Sequence, residues 1–439
     1  MLAIDYIGFC HRRRCHRCNR SVRPKLTTAP TVASMAVFTI SCTPCWASTL
    51  SEAPLPVPIP NCRLVFIVFP PRYPLQKIAF AKVTDLWHLR HVSGITAMKR
   101  RAFIQNGLLA AVPFTGLDPL RWLLTPADHV ITVNGAVPSG KLGFVLSHEH
   151  ILVDFIGADQ VSRARYGQDE VFDTVLPYLE EARRRGARTF VDCTPEWLGR
   201  DAQLLKRLSD ASGLHIITNT GYYGAAGEKY LPPHAFTETA EQLAERWTAE
   251  WRDGIDGTGI KPGFIKIGVD QYPLSEVQRK LVRAAALTHL ETGLAIFVHT
   301  GDGKAALDEL SIITDTGVAP DAWVWTHAQN EPDRAAHIQI AKAGGWVAFD
   351  GLYPQLTDRY VAFLQDMKAQ RLLHRVLISH DAGWYEVGKP RGGNIRAYSS
   401  IFEDLIPALK KAGFAAHELH QLFTINPAEA LAILIRQTA

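Results

Sequence analysis

From about His129 onward, short runs of β-branched and apolar residues alternate with longer amphipathic stretches, the order of strand and helix units repeated around a parallel sheet. The runs are GFVLSH (143–148), RTFVDC (188–193), HIITNT (215–220), GFIKIG (263–268), AIFVHT (295–300), WVWTH (323–327), WVAFD (346–350) and RVLISHD (375–381). Between them, stretches such as 171–185, 237–253, 276–292, 304–315 and 357–369 are rich in the good helix formers Ala, Leu, Glu, Arg and Lys. Eight such units predict an α/β fold, a (β/α)8 TIM barrel over residues 129–439. A doubly wound open sheet would want a glycine-rich dinucleotide loop after its first strand, and none follows residue 148.

The first 97 residues behave differently. They mix Arg-, Cys-, Pro- and Thr-rich stretches with short apolar runs such as LVFIVF, without a sustained period, and predict a largely unstructured or over-long extension. At Met98 the text becomes MKRRAFIQNGLLAAVPF, which resembles a twin-arginine export signal with its pair at Arg100 and Arg101. Residues 98–128 are then signal and linker, Met98 is the working start, and the expected location is periplasmic or exported; without the signal it is cytoplasmic. The apolar stretch 103–109 is too short to be a stable membrane span.

With 47% apolar and 21% charged residues, the chain of 439 residues can bury a full core. Its net charge of +4 comes from an early basic cluster (Arg12, Arg13, Arg14, Arg17, Arg20, Arg23 and Lys25), so no nucleic-acid partner is inferred. Six of the seven cysteines fall in the first 62 residues, and the barrel needs no disulfide. Cys15-x-x-Cys18 and Cys42-x-x-Cys45 have the spacing of zinc half-sites, but no hydrophobic period joins them, so no zinc module is expected there.

In a barrel the active site lies at the C-terminal ends of the strands, which gives weight to polar residues closing an apolar run. Here those residues are metal-ligand types. His148 and His150 close strand one and, two apart, point to one side; His299, His327 and Asp381 close strands five, six and eight. A single strand-end histidine is more often a packed, hydrogen-bonded residue than a ligand; the convergence of four imidazoles and an aspartate on one mouth argues for metal. His380, beside Asp381, should face the other way and be structural. Lys266 sits inside GFIKIG. An ammonium has no lone pair for a cation, but a buried lysine can lose its proton, and the neutral amine can take up carbon dioxide as a carbamate whose two oxygens bridge two metals.

With ITVNGAVPSGKLGFVLSHEH, NTGYYG, GFIKIG, FVHTGDG, THAQNEPD, ISHDAG and TINPAEAL in order, the chain from His129 to its end resembles the phosphotriesterase family of the amidohydrolase superfamily. The resemblance implies that His148, His150 and Asp381 hold the more buried of two divalent ions, that His299 and His327 hold the more exposed one, and that carboxylated Lys266 bridges them. It also implies a possible homodimer. Two positions depart from the family: an acidic residue three after the strand-six histidine is Asn330 here, and the His or Arg after the strand-seven aspartate is Gly351. Phosphotriester hydrolysis itself is therefore in doubt.

The expected chemistry is hydrolysis of an ester, a lactone or a phosphoester in a small molecule, by hydroxide generated on two ions, with Asp381 taking up the proton. Zinc is the default ion for mixed imidazole and carboxylate ligands; manganese, cobalt or iron would also fit. Hydrolysis of an amide or other carbon–nitrogen bond is the alternative, and a non-catalytic binding barrel a further one, disfavoured because all six ligand positions are filled. Loop residues that could bind substrate are Tyr222, Tyr223, Asn330, Tyr353, Trp384 and Arg391, with Tyr223 expected beside the leaving group.

Overall fold

The computed structural model describes residues 129–438. The extension 1–97 with its two Cys-x-x-Cys pairs, and the segment 98–128 with Arg100 and Arg101, lie outside the described residues. The described chain begins with an antiparallel hairpin, β1 (His129–Thr132) and β2 (Gly135–Pro138). β3 (Phe144–Val153), β4 (Ala187–Asp192), β5 (His215–Ile217) and β6 (Asn219–Thr220) follow, then β7 (Phe264–Gly268), β8 (Ile296–His299), β9 (Trp323–Thr326), β10 (Trp346–Phe349), β11 (Val376–Ile378) and β12 (Gly383–Glu386).

These are the eight expected parallel runs. β3, β4 and β5 pair in turn, and β6 through β11 pair in turn. β5 and β6 are one run interrupted at Thr218, and β11 and β12 are one run interrupted at 379–382. The ring closes where β12 pairs with β3, helped by Asp381 N–H to the His148 carbonyl and His150 N–H to the Ala382 carbonyl, both 3.0 Å. The result is a (β/α)8 barrel.

Alternation sorts the side chains into two cores. Val145, Val191, Ile217, Phe264, Phe297, Val324, Ala348 and Leu377, one per run, fill the barrel interior, which the hairpin's Val130 joins. Their immediate neighbours in sequence, such as Leu146, Phe190, Ile216, Ile265, Val298, Trp325 and Val347, face the helices. Those helices begin and end where local chemistry dictates. Glu276–Thr292 starts with a capping box between Ser275 and Gln278 and stops at Gly293, whose φ of 75° glycine adopts without strain. Among the described residues no helix is long and apolar enough to cross a membrane.

β3 breaks the simple alternation, and this positions the site. Val145 faces in and Leu146 faces out, so a strict two-residue period would turn His148 outward. The register against β4 shifts between Leu146 and Glu149, an irregularity that re-aims the strand; beyond it His148 and His150 face inward while Glu149 faces out. β3 then runs on to Val153 instead of ending at the histidines.

Candidate metal centre

At the mouth, the inward rule continues one step past each strand's inner core residue. Phe264 is followed by Lys266, Phe297 by His299 and Ala348 by Asp350. The Nε2 atoms of His150 and His148 lie 3.0 and 3.6 Å from Asp381 Oδ1, so two imidazoles and a carboxylate converge as a tripod. The His148 ring lies 4.9 Å from that of His327, which lies 4.3 Å from that of His299. Lys266, 1% exposed, stands among them, with His148, His299 and His327 all feeling its charge. All six residues anticipated as ligands therefore gather in one place.

The far side of three of the four rings is held too. His150 Nδ1 is 2.7 Å from the Thr194 hydroxyl. His148 Nδ1 is 2.7 Å from Asp350 Oδ2, and His327 Nδ1 is 2.9 Å from Asp350 Oδ1, which also accepts the His327 backbone N–H at 2.9 Å. Such distances are hydrogen bonds, with Nδ1–H donating and the Nε2 lone pair left facing the cluster. His148, His327 and Asp350 thus form a hydrogen-bonded set behind the site, and their outward Nε2 atoms suit a cation. Lys266 Nζ donates to Thr326 Oγ1, a neutral acceptor, at 3.2 Å.

Electrostatics favour the neutral form of His148 and His299 and act the other way on His327. Burial, aided by Lys266, lowers His148 to about 4, and burial with His327 and Lys266 alongside lowers His299 well below its ordinary value. Burial would lower His327 as well, but Asp350 outweighs it and raises the group. Desolvation opposes the charge on Asp381, yet the hydrogen bond from His150 and the nearby imidazoles hold that carboxyl well below its usual range. His148 and His299 are therefore neutral donors at pH 7 and Asp381 an anionic one, the set a divalent ion requires. His327 and Asp381 sit at φ 63° and 51°, a left-handed conformation that is uncommon for such residues and concentrated at functional sites.

Glu149 and His380 turn away from the mouth, as expected for His380. The Glu149 carboxylate accepts from the Ser379 hydroxyl, His380 N–H, His380 Nδ1–H and Ala382 N–H, all within 3.2 Å. Ile401 N–H donates to His380 Nε2 at 3.0 Å, which fixes that tautomer. Arg396 donates to the carbonyls of His380 and Asp381 and lies over the Tyr353 ring, 3.8 Å from its centroid. The segment carrying Asp381 is pinned from both sides.

The loop residues divide. Tyr223 places its ring 5.0 Å from that of His299 and 5.8 Å from Tyr230, and burial pushes its phenol up. Trp384 meets His150 at 5.8 Å and Phe155 at 6.3 Å, edge to face. Phe155 and Tyr230, 6.5 Å apart, complete an aromatic arc from His150 round to His299; neither was anticipated from sequence, since neither closes a strand. Tyr222 packs away from the cluster, on Trp247 at 5.3 Å and bonded to His234, and is 3% exposed, because its neighbour Tyr223 takes the inward direction. Arg391 is exposed on the turn Pro390–Gly392 and shares no hydrogen bond or ion pair with the described cluster residues. Asn330 is exposed, its backbone N–H closing a turn on the His327 carbonyl.

Gly351 explains itself in structure. A Cβ there would lie 2.5 Å from Gln329 Nε2, and Gln329 Oε1 accepts the Asp350 N–H at 3.0 Å. The Gln329 amide fills the space a side chain at 351 would claim. Asp350 was the site residue that sequence reading passed over, although alternation from Trp346 and Ala348 aims it inward.

This fold and cluster define a (β/α)8 barrel whose mouth gathers donors that could hold a metal ion. The phosphotriesterase family model matches residues 128–431, and the chain belongs to that family. It is 27% identical over 293 residues to the phosphotriesterase homology protein of Escherichia coli, covering 65% of this chain and 97% of that one. It is 28% identical over 305 residues to the aryldialkylphosphatase of Saccharolobus solfataricus, covering 66% and 96%. Relatives of comparable identity are named N-acetyltaurine hydrolase (Homo sapiens, 26% over 345 residues) and phospho-furanose lactonase (Mycoplasmopsis synoviae, 27% over 328), with 69% of this chain covered by each and 97% and 91% of theirs. A mutant organophosphorus hydrolase from Deinococcus radiodurans has a similar structure, with a TM-score of 0.62 and 27% identity over 69% of this chain and 97% of that one.

Proposed function

We propose that the chain is a binuclear metal-dependent hydrolase of ester, lactone or phosphoester bonds, with His148, His150, Lys266, His299, His327 and Asp381 as ligands and Lys266 carboxylated. The observation that carries this reading is the convergence of His148 Nε2 and His150 Nε2 on Asp381 Oδ1, with the opposite ring nitrogens already engaged. Two divalent ions, zinc by donor type, would acidify a water and polarise the bond it attacks. Asp381, ionised and pinned by Arg396, takes the proton from the attacking water and returns it to the leaving group. Tyr223 beside His299, with Trp384 and Phe155 beyond His150, lines an apolar wall that shelters the acyl or leaving group from water. Tyr353 and Asn330 remain candidate substrate contacts, and Arg391 a candidate partner for an anionic substrate.

A carboxylic ester or lactone is favoured over a phosphotriester. The family resemblance implies an acidic residue where Asn330 stands and a His or Arg where Gly351 stands, positions of its proton relay or substrate pocket. The relative named N-acetyltaurine hydrolase supports carbon–nitrogen hydrolysis as a second reading. The test is elemental analysis of the purified protein followed by a hydrolysis screen across lactones, aryl esters, N-acyl amino acids and phosphomono-, di- and triesters. About two metals per chain and turnover of a lactone or ester are expected; a metal-free protein that is fully active would end the proposal.

A further inference from the structure

Asp350 is not among the six proposed ligands, although its carboxylate stands with the ring nitrogens of two of them. It is 0% exposed, at the end of β10, and each of its oxygens is committed to a different histidine: Oδ2 to His148 Nδ1 at 2.7 Å and Oδ1 to His327 Nδ1 at 2.9 Å. The carboxylate is itself fixed. The His327 N–H donates to Oδ1, and the Asp350 N–H is held by Gln329. On the two-ion reading above, on which this inference rests, His148 belongs to one half-site and His327 to the other. By contrast His150 has its own acceptor, Thr194, which no second histidine shares.

We propose that Asp350 is a positioning residue common to both half-sites, which makes their affinities rise and fall together. A buried imidazole can grip a cation at Nε2 only if Nδ1 keeps its proton, and that tautomer is set by the acceptor behind it. One carboxylate sets it for both rings. Whatever displaces that one carboxylate releases both Nδ1–H groups at once, so a change at Asp350 is felt at His148 and at His327 together. The acceptor must also be an anion with two equivalent oxygens. An asparagine offers one oxygen, and its NH₂ would confront an N–H donor on the other ring.

The test titrates metal-stripped full-length protein with Zn²⁺, resolving the two stepwise constants by competition with a chromophoric chelator. Asp350→Asn is expected to weaken both steps, by roughly 10- to 100-fold each, as loss of an outer partner of a ligating histidine does. Thr194→Val is expected to weaken one step and leave the other within about twofold of wild type. If Asp350→Asn weakens one step only, or neither, the coupling is overturned. If wild type takes up no Zn²⁺, the hydrolase reading itself fails, a result distinct from the first. A measurement on wild type guards against a misfolded variant. In ¹⁵N-histidine-labelled protein, one equivalent of Zn²⁺ should shift the Nδ1–H resonances of both His148 and His327; movement of a single ring's signal overturns the proposal.

Discussion

The left-handed backbone at Asp381, its ionised carboxylate and the Arg396 clamp on its carbonyl make it the residue whose chemistry can be removed with the least structural damage. Asp381→Asn should leave the thermal midpoint of the metal-free protein nearly unchanged and lower kcat by roughly 10²–10⁴-fold; unaltered kcat would discard its role as proton acceptor. Asp192 gives a separate titration. Burial raises its carboxyl from 3.8 to about 6, while Ile151 N–H donates to it at 2.9 Å. A raised acid stabilises the fold fully below its unfolded pKa, and that contribution is lost as pH rises through about 6. Asp192→Asn keeps the acceptor for Ile151 and removes the titration. Relative to wild type, metal-free Asp192→Asn should therefore gain roughly 2–3 kcal/mol between pH 4 and pH 8 in urea unfolding. Sequence made the clustered residues legible because strand ends and alternation are one-dimensional facts. Asp350 was within reach of the same rule. Thr194, Arg396 and Phe155 were not, because their roles exist only once separate runs are neighbours.

β3 and the 379–382 break act as one unit, stapled by Glu149. Glu149→Gln leaves the Ala382 N–H facing an amide donor, and should cost roughly 1–3 kcal/mol of stability together with a loss of metal affinity, read by unfolding and by chelator competition. The β9 and β10 loops form a second unit through Gln329. Gly351→Ala pushes a Cβ into the Gln329 amide and breaks its bond to Asp350, at roughly 1 kcal/mol, whereas in a Gln329→Ala background the same change should cost almost nothing. Additive costs in that double-mutant cycle would remove the explanation given for Gly351. The eight runs were all visible in the hydrophobic pattern because each needs a continuous apolar stretch between layers. The shift in β3 and the extra strand β12 were not, since bulges and breaks depend on the partner strand, and Gly383–Glu386 carries no β-branched run.

For the whole molecule, the proposed site exists only in the folded chain, so adding Zn²⁺ at about 1,000 times Kd should stabilise it by roughly 4 kcal/mol, and a chelator should reverse the shift in Tm. An unchanged Tm on both treatments would contradict a structural contribution from the ions. Export is tested by fusing residues 98–128 to a reporter and replacing Arg100 and Arg101 with Lys, which is expected to block translocation. The large-scale architecture was the most legible part of the sequence because it repeats eight times, whereas substrate choice rests on loops that occur once each.

The staple between Glu149 and His380 joins residues 231 apart. A ribosome therefore releases His148 and His150 long before it makes their carboxylate partner. Until residues near 400 have emerged to seat His380, the nascent chain lacks a fixed Asp381 to complete the cluster, so under the proposed reading the site would be finished only when synthesis is almost over.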